Sequence, residues 1–256
     1  MAVIGIIGGS GLDDPEILVS PSDIEMRTPY GDTSERLRKG TVEDTRVLLL
    51  PRHGRQHTIP PSQVNNRANI WAMKAAGATH IVSTTAVGSL REEIHPGDLA
   101  VLDQFIDFTR HRPVTFYEEF SPGDMKHTAM ADPFSPQLRE IIIEVCRDLE
   151  IPCHERATVI TVEGPRFSTR AESHMFRAWG ADVVNMSIAP ECILANEFAL
   201  PYASIAMCTD YDCWKEDEEP VTWEAVLETL RRNADEMTRL LVELIPRIEK
   251  TVTGRA

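Results

Sequence analysis

No run of eighteen apolar residues occurs anywhere in this 256-residue chain, so no segment reads as a membrane-spanning helix. The apolar opening MAVIGII carries no basic flank of the kind that marks a secretory signal, and a cytoplasmic setting with no membrane partner is expected. Clusters of Lys and Arg are equally scarce. The 26 basic residues face 40 acidic ones, and the formal charge of -14 repels nucleic-acid backbones. Nucleic acid is therefore not expected as a partner. Five cysteines form no C-x-x-C, and an odd number suits reduced thiols better than a secreted disulfide framework; intracellular bridges remain an option for a thermophile. Low-complexity tracts, repeats and Ser/Gly linkers are missing as well. The chain reads as one globular domain, residues 1–256.

What the sequence does contain is an alternation. Short apolar runs at 3–9, 45–51, 79–88, 99–107, 157–165, 181–187 and 202–210 have the length and β-branched content of buried strands, and each runs into Gly, Pro or polar residues. Helical patterns lie between them at 65–77, 135–150 and 169–180, two of them closing on a C-cap glycine. A last helix begins at Thr222, with Val226, Leu227, Leu230, Met237, Leu240, Leu241, Leu244 and Ile248 near a 3.6 period. The fold class is α/β. In such folds ligands gather where strands end, which ranks the strand-terminal residues first.

GIIGGSG (5–11) offers backbone N–H groups and the Ser10 hydroxyl to an anion. It matches neither G-x-G-x-x-G nor a Walker loop, and a plain turn explains it equally well in isolation. PRHGRQH (51–57) concentrates Arg52, His53, Arg55 and His57 in an acidic chain. Pro51, Gly54 and Pro60-Pro61 oppose the helix that a zinc pair at His53 and His57 needs, so no metal is expected. A bidentate Arg52 beside a His53 N–H donor suits phosphate instead; taken alone, the loop also reads as solvated basic surface. STTAVGS (83–89) adds the hydroxyls of Thr84 and Thr85 and the backbone around Ala86. Phe167 in EGPRFST offers a face for a planar base, and Met186 in VVNMSIAPE an adaptable apolar surface. Ser187 is near a helix start marked by Pro190 and Glu191, where a capping role is the simpler explanation.

In order, GIIGGSGL, PRHGRQH, STTAVGSLREEI with PGD and DQFID, EGPRFSTRAES, NMS followed by PE, and SIAMCTDYDCW resemble the trimeric purine nucleoside phosphorylases, particularly their 5'-methylthioadenosine branch. The resemblance runs from about residue 3 to the helix ending near 250. It implies a single domain around a mixed, partly barrel-like central sheet flanked by helices, assembled as a homotrimer. It implies attack of inorganic phosphate on the anomeric carbon of a purine nucleoside, with phosphate as co-substrate and no metal or organic cofactor.

Residue by residue, the resemblance assigns phosphate to Ser10, Arg52, His53, Thr85, Ala86 and Ser187, the last standing where the branch usually has threonine. It places Met186 on the ribose, Phe167 and Ser168 at the base, and Trp223 and Val226 in the pocket lining. His127 is similar to a residue supplied by the neighbouring subunit near the sugar 5' end. Asp210 and Asp212 fall at the base. A protonated Asp210 would donate to purine N7, while carboxyl oxygens of the pair accept from a 6-amino group. Inosine or guanosine phosphorolysis, hydrolytic cleavage and simple nucleoside binding are the competing readings. An acceptor pair disfavours a 6-oxo base, and the Arg52-His53 loop disfavours hydrolysis.

Overall fold

The computed structural model describes residues 1–9, 16–217 and 222–254. All seven expected apolar runs are strands: β1 Val3–Gly8, β4 Thr45–Pro51, β5 His80–Ser89, β6 Leu99–Phe108, β7 Cys153–Val162, β8 Val183–Asn185 and β9 Tyr202–Asp210. Two more, β2 Val19–Ile24 and β3 Leu37–Val42, escape the sequence reading. They pair antiparallel at the edge of the sheet, β2 is almost wholly exposed, and Pro21 sits inside it. Strand β2 buries no residue and β3 only Leu37 and Val42 at its two ends, so neither carries an apolar signature.

The nine strands form one sheet in the order β2-β3-β4-β1-β5-β8-β7-β6-β9, and a further β5–β9 pairing closes the last five into a mixed barrel. Strand β5 makes this possible because its ten residues pair in parallel with both β1 and β9 while its end turns antiparallel to β8. Parallel register aligns carboxyl ends: Gly8 lies beside Pro51, Ile7 beside Ser83, and Gly88 beside Asp210. Four motif-bearing loops therefore open on one edge.

Among the described residues five α-helices cover the sheet: α1 Asn66–Ala75, α2 Pro136–Asp148, α3 Arg170–Ala178, α4 Ile188–Glu197 and α5 Trp223–Thr253. Each of the four expected helical patterns is realised, and Gly77 and Gly180 take the positive φ that ends α1 and α3. Thr169 and Glu172 form a reciprocal capping box on α3, satisfying two N–H groups that the first turn leaves open. Helix α4 is missed beyond its start because it is buried on every side and has no polar stripe. The α5 stripe, with Val226, Leu230, Met237, Leu240, Leu241, Leu244 and Ile248, packs with α2 in one core cluster. At roughly 1.5–3 kcal/mol per fully buried aliphatic side chain, it anchors the helix whose first turn reaches the site. The opposite cluster holds Ile70, Met73, Leu194 and Tyr202 from α1, α4 and β9.

Candidate active site

A cleft of about 360 Å3 opens at the shared strand edge, and Arg52, His53, Thr85, Ala86, Phe167, Ser168, Met186, Ser187, Asp210, Asp212, Trp223 and Val226 all line it. Ser10 lies outside the described residues. His127 lines no part of this chain's own cleft; it stands exposed, 5.7 Å ring to ring from Phe120, in the long connection between β6 and α2.

One end of the cleft is rich in hydrogen-bonding groups. The Thr85 and Ser187 hydroxyls are 3.1 Å apart. Asn185 joins them: its Nδ2 donates to Thr85 Oγ1 at 3.2 Å while its Oδ1 accepts from the Thr161 hydroxyl at 2.8 Å. Ser187 does occupy the N-cap of α4, but its side chain makes no cap hydrogen bond and turns to Thr85 instead. Sequence reasoning assigned Asn185 no role. The available signal was an amide in an otherwise apolar strand end, which needs partners when buried.

The basic loop is only partly solvated surface: Arg52 is 1% exposed and His53 5%, whereas Arg55 is exposed and pairs with Asp23. Two details differ from expectation. Arg52 directs Nε and Nη2 at the two carboxylate oxygens of Glu191, so its side-on fork is engaged by a buried side chain of the protein. His53 donates Nδ1–H to the Ile59 carbonyl at 2.8 Å, since a carbonyl only accepts. Burial, reinforced by the neighbouring Arg52 charge, pushes the His53 pKa down to about 3. A neutral ring with Nδ1 protonated leaves Nε2 as an acceptor, so the expected N–H donor becomes an acceptor. Gly9 explains the tightness here: a Cβ would lie 2.5 Å from the Thr84 carbonyl oxygen and 2.6 Å from Arg52 Nη1.

The other end carries the two carboxylates. Asp210 accepts from the Thr209 hydroxyl and the Asp212 N–H, both at 2.7 Å. Burial outweighs those bonds and raises its pKa to about 6. Asp212 is no surface acid either. It is 5% exposed, burial raises its pKa above the usual carboxylate range, and its Oδ2 is buried without a hydrogen bond. Its φ of 50° is left-handed, a conformation Asp tolerates better than most residues. Gly88 leaves room for the pair, because a Cβ there would stand 2.9 Å from Asp210 Oδ1 and 3.3 Å from Asp212 Cβ.

Between these ends lie Met186, Phe167, Val184 and Val226. Trp223, 42% exposed at the start of α5, stacks on His57 with ring centroids 5.5 Å apart. His57 in turn lies 4.5 Å from the His53 ring. Arg112 supports this wall from behind: Nη1 donates to the Met186 carbonyl and Nη2 to the Glu163 carbonyl, both at 2.5 Å. Neither His57 nor Arg112 was singled out for the cleft, because both come from loops whose path only the fold defines. Among the described residues, no group of three or more His, Cys, Asp or Glu side chains is placed to hold a metal ion.

Fold and site together define a small-molecule transferase whose cleft brings a hydroxyl cluster and a carboxyl pair together at one sheet edge. The chain belongs to the phosphorylase superfamily, whose family model matches residues 3–246. It is 54% identical to S-methyl-5'-thioadenosine phosphorylase of Danio rerio over 96% of this chain and 88% of that protein. It is 48% identical to the Thermofilum pendens protein of the same name, over 96% and 92% of the two chains. Methylthioadenosine phosphorylase from Schistosoma mansoni in complex with adenine superposes with a TM-score of 0.90 at 42% identity, covering 97% of this chain and 92% of that one. A mutant of the adenosine/methylthioadenosine phosphorylase from that organism, in complex with methylthioadenosine, gives 0.89 at the same identity over the same shares.

Proposed function

We propose that this chain cleaves 5'-methylthioadenosine with inorganic phosphate, releasing adenine and 5-methylthioribose 1-phosphate, and that adenosine is an alternative substrate. The observation that carries this reading is the placement of a half-buried, readily protonated Asp210 in the same cleft as the Arg52, Thr85 and Ser187 cluster.

A phosphate oxygen attacks C1', the C1'–N9 bond breaks, and its electron pair passes into the purine. Asp210 gives its proton to N7, so the base departs neutral. Positive charge that develops on the sugar is met by the phosphate beneath it. His53 fits a monoprotonated phosphate, whose P–OH donates to Nε2, while Thr85, Ser187, Arg52 and Ser10 donate to its other oxygens. Met186 packs on the ribose, and Phe167 and Ser168 border the base. Asp212, with a buried unsatisfied oxygen, accepts from the 6-amino group. A 6-oxo purine would set oxygen against oxygen there, which weighs against inosine and guanosine. Trp223, Val226 and His57 border the sugar 5' side.

The reading includes a homotrimer in which His127 reaches a neighbour's sugar. Its support is the β6–α2 connection, residues 109–135, which runs without helix or strand and exposes Phe120, Met125 and His127. Loops of that length are seldom idle. All five thiols are free, in keeping with a cytoplasmic setting. Two measurements test the proposal. Adenine release from methylthioadenosine must require phosphate and yield the sugar 1-phosphate; equal release in phosphate-free buffer refutes it. Light scattering of active enzyme must give three 28.7 kDa chains, and a fully active monomer refutes the trimer.

A further inference from the structure

Glu191 is 1% exposed, yet the chemistry outlined above does not use it. It sits in the first turn of α4, four residues after Ser187, so both project from one face of the helix. Three donors converge on its carboxylate: Arg52 Nε on Oε1, Arg52 Nη2 on Oε2 at 3.0 Å, and the Tyr202 hydroxyl on Oε2 at 2.8 Å. Ser83 then donates to the Tyr202 oxygen at 2.7 Å, because the tyrosine proton is already committed. The third guanidinium nitrogen, Nη1, donates to the Thr84 carbonyl at 2.9 Å. Every nitrogen of Arg52 is thereby tied to a fixed oxygen from β5 or α4.

We infer that Glu191 is the positioning residue of the anion site, held by Tyr202 and Ser83 and fixing the plane of the Arg52 guanidinium beside Thr85 and Ser187. This rests on the assignment of Arg52 to phosphate made above. The arrangement has an electrostatic cost. A carboxylate one guanidinium away from the bound anion repels it and cancels the charge of Arg52. A site built only to attract phosphate would omit Glu191. Its presence is accounted for by orientation: an arginine side chain has four rotatable bonds, and a buried one left unpaired would also carry an uncompensated charge.

The two physical effects predict opposite signs, which makes the inference testable. Removing the carboxylate charge relieves repulsion and should tighten phosphate binding if Glu191 only tempers Arg52. It should weaken phosphate binding if Glu191 positions Arg52. The experiment measures KM for inorganic phosphate, KM for methylthioadenosine, kcat and Tm in wild type, Glu191→Gln, Glu191→Asp, Tyr202→Phe and Arg52→Ala.

Positioning predicts that Glu191→Gln raises the phosphate KM about tenfold or more while the nucleoside KM moves less than about twofold. Glu191→Asp, with its charge kept but withdrawn by one methylene, should fall between, and Tyr202→Phe should raise the phosphate KM about threefold. An unchanged or lowered phosphate KM in Glu191→Gln overturns the inference, whatever happens to Tm. If that variant does not fold, Tyr202→Phe decides: its ring preserves the packing, and an unchanged phosphate KM overturns the inference equally. Arg52→Ala separates the two levels of argument. Should it leave the phosphate KM unchanged, the assignment of the anion site fails; should it raise that KM while Glu191→Gln does not, only the role of Glu191 fails.

Discussion

Adenine is neutral between pH 5.5 and 8, so any pH dependence of its binding in that range reports on the protein. If Asp210 must be protonated to donate to N7, affinity follows the protonated fraction of a carboxyl whose pKa is raised to about 6 by burial. For such a group that fraction is about 0.76 at pH 5.5 and about 0.01 at pH 8, which predicts a loss of affinity of about 75-fold, or about 2.6 kcal/mol. Asp212, also raised, adds in the opposite sense, since it accepts from the 6-amino group best when ionised. Its effect therefore reduces the slope. Titration calorimetry without phosphate is the appropriate assay, because phosphate itself changes charge near neutral pH and would contaminate a rate profile. In Asp210→Asn, which has no titrating proton at that position, the loss of affinity with rising pH should disappear, leaving only the opposite trend from Asp212. A flat profile in wild type, or an equal slope in wild type and Asp210→Asn, refutes the general-acid assignment.

Turnover on methylthioadenosine should fall by roughly 10²–10⁴ in Asp210→Asn, the usual loss for a general acid, and the kcat/KM gap to inosine should narrow because an amide can donate to O6; identical ratios in wild type, Asp210→Asn and Asp212→Asn would make the pair bystanders. The same raised pKa has a stability consequence. Asp210 favours the fold fully only below about pH 3.8, and that contribution is lost as pH rises through about 6, a cost of order 3 kcal/mol at pH 8. The Tm advantage of Asp210→Asn over wild type should accordingly widen from pH 5 to pH 8, and a gap independent of pH would contradict the buried-acid account. Gly88→Ala should displace the Asp210 carboxyl by filling a space 2.9 Å from its oxygen, lowering kcat/KM by about 10²-fold with little change in the circular dichroism spectrum; wild-type kinetics would show that the side chain has room to yield.

Local pattern alone determined a large part of this molecule. The seven apolar strands and four of the helices were legible because a strand buried on both faces reads as a short apolar run and a half-buried helix carries a 3.6-residue stripe, as in VIGIIG and α5. The strand-end rule also anticipates that most of the named residues share one cleft, since parallel strands in register deliver their carboxyl ends to one edge whatever the loops contain. The edge strand β2, its neighbour β3 and the all-buried α4 lack either signature. What only the tertiary structure decided is how each polar group is spent. Arg52 and Glu191, or Asn185 and Thr85, lie about a hundred residues or more apart. Whether His53 donates or accepts depends on the Ile59 carbonyl, and whether Asp210 keeps a proton near neutral pH depends on the water excluded around it. Residue types announce which groups can exchange protons and hydrogen bonds; desolvation and the partner across the cleft settle the direction, and both exist only once the chain has closed upon itself.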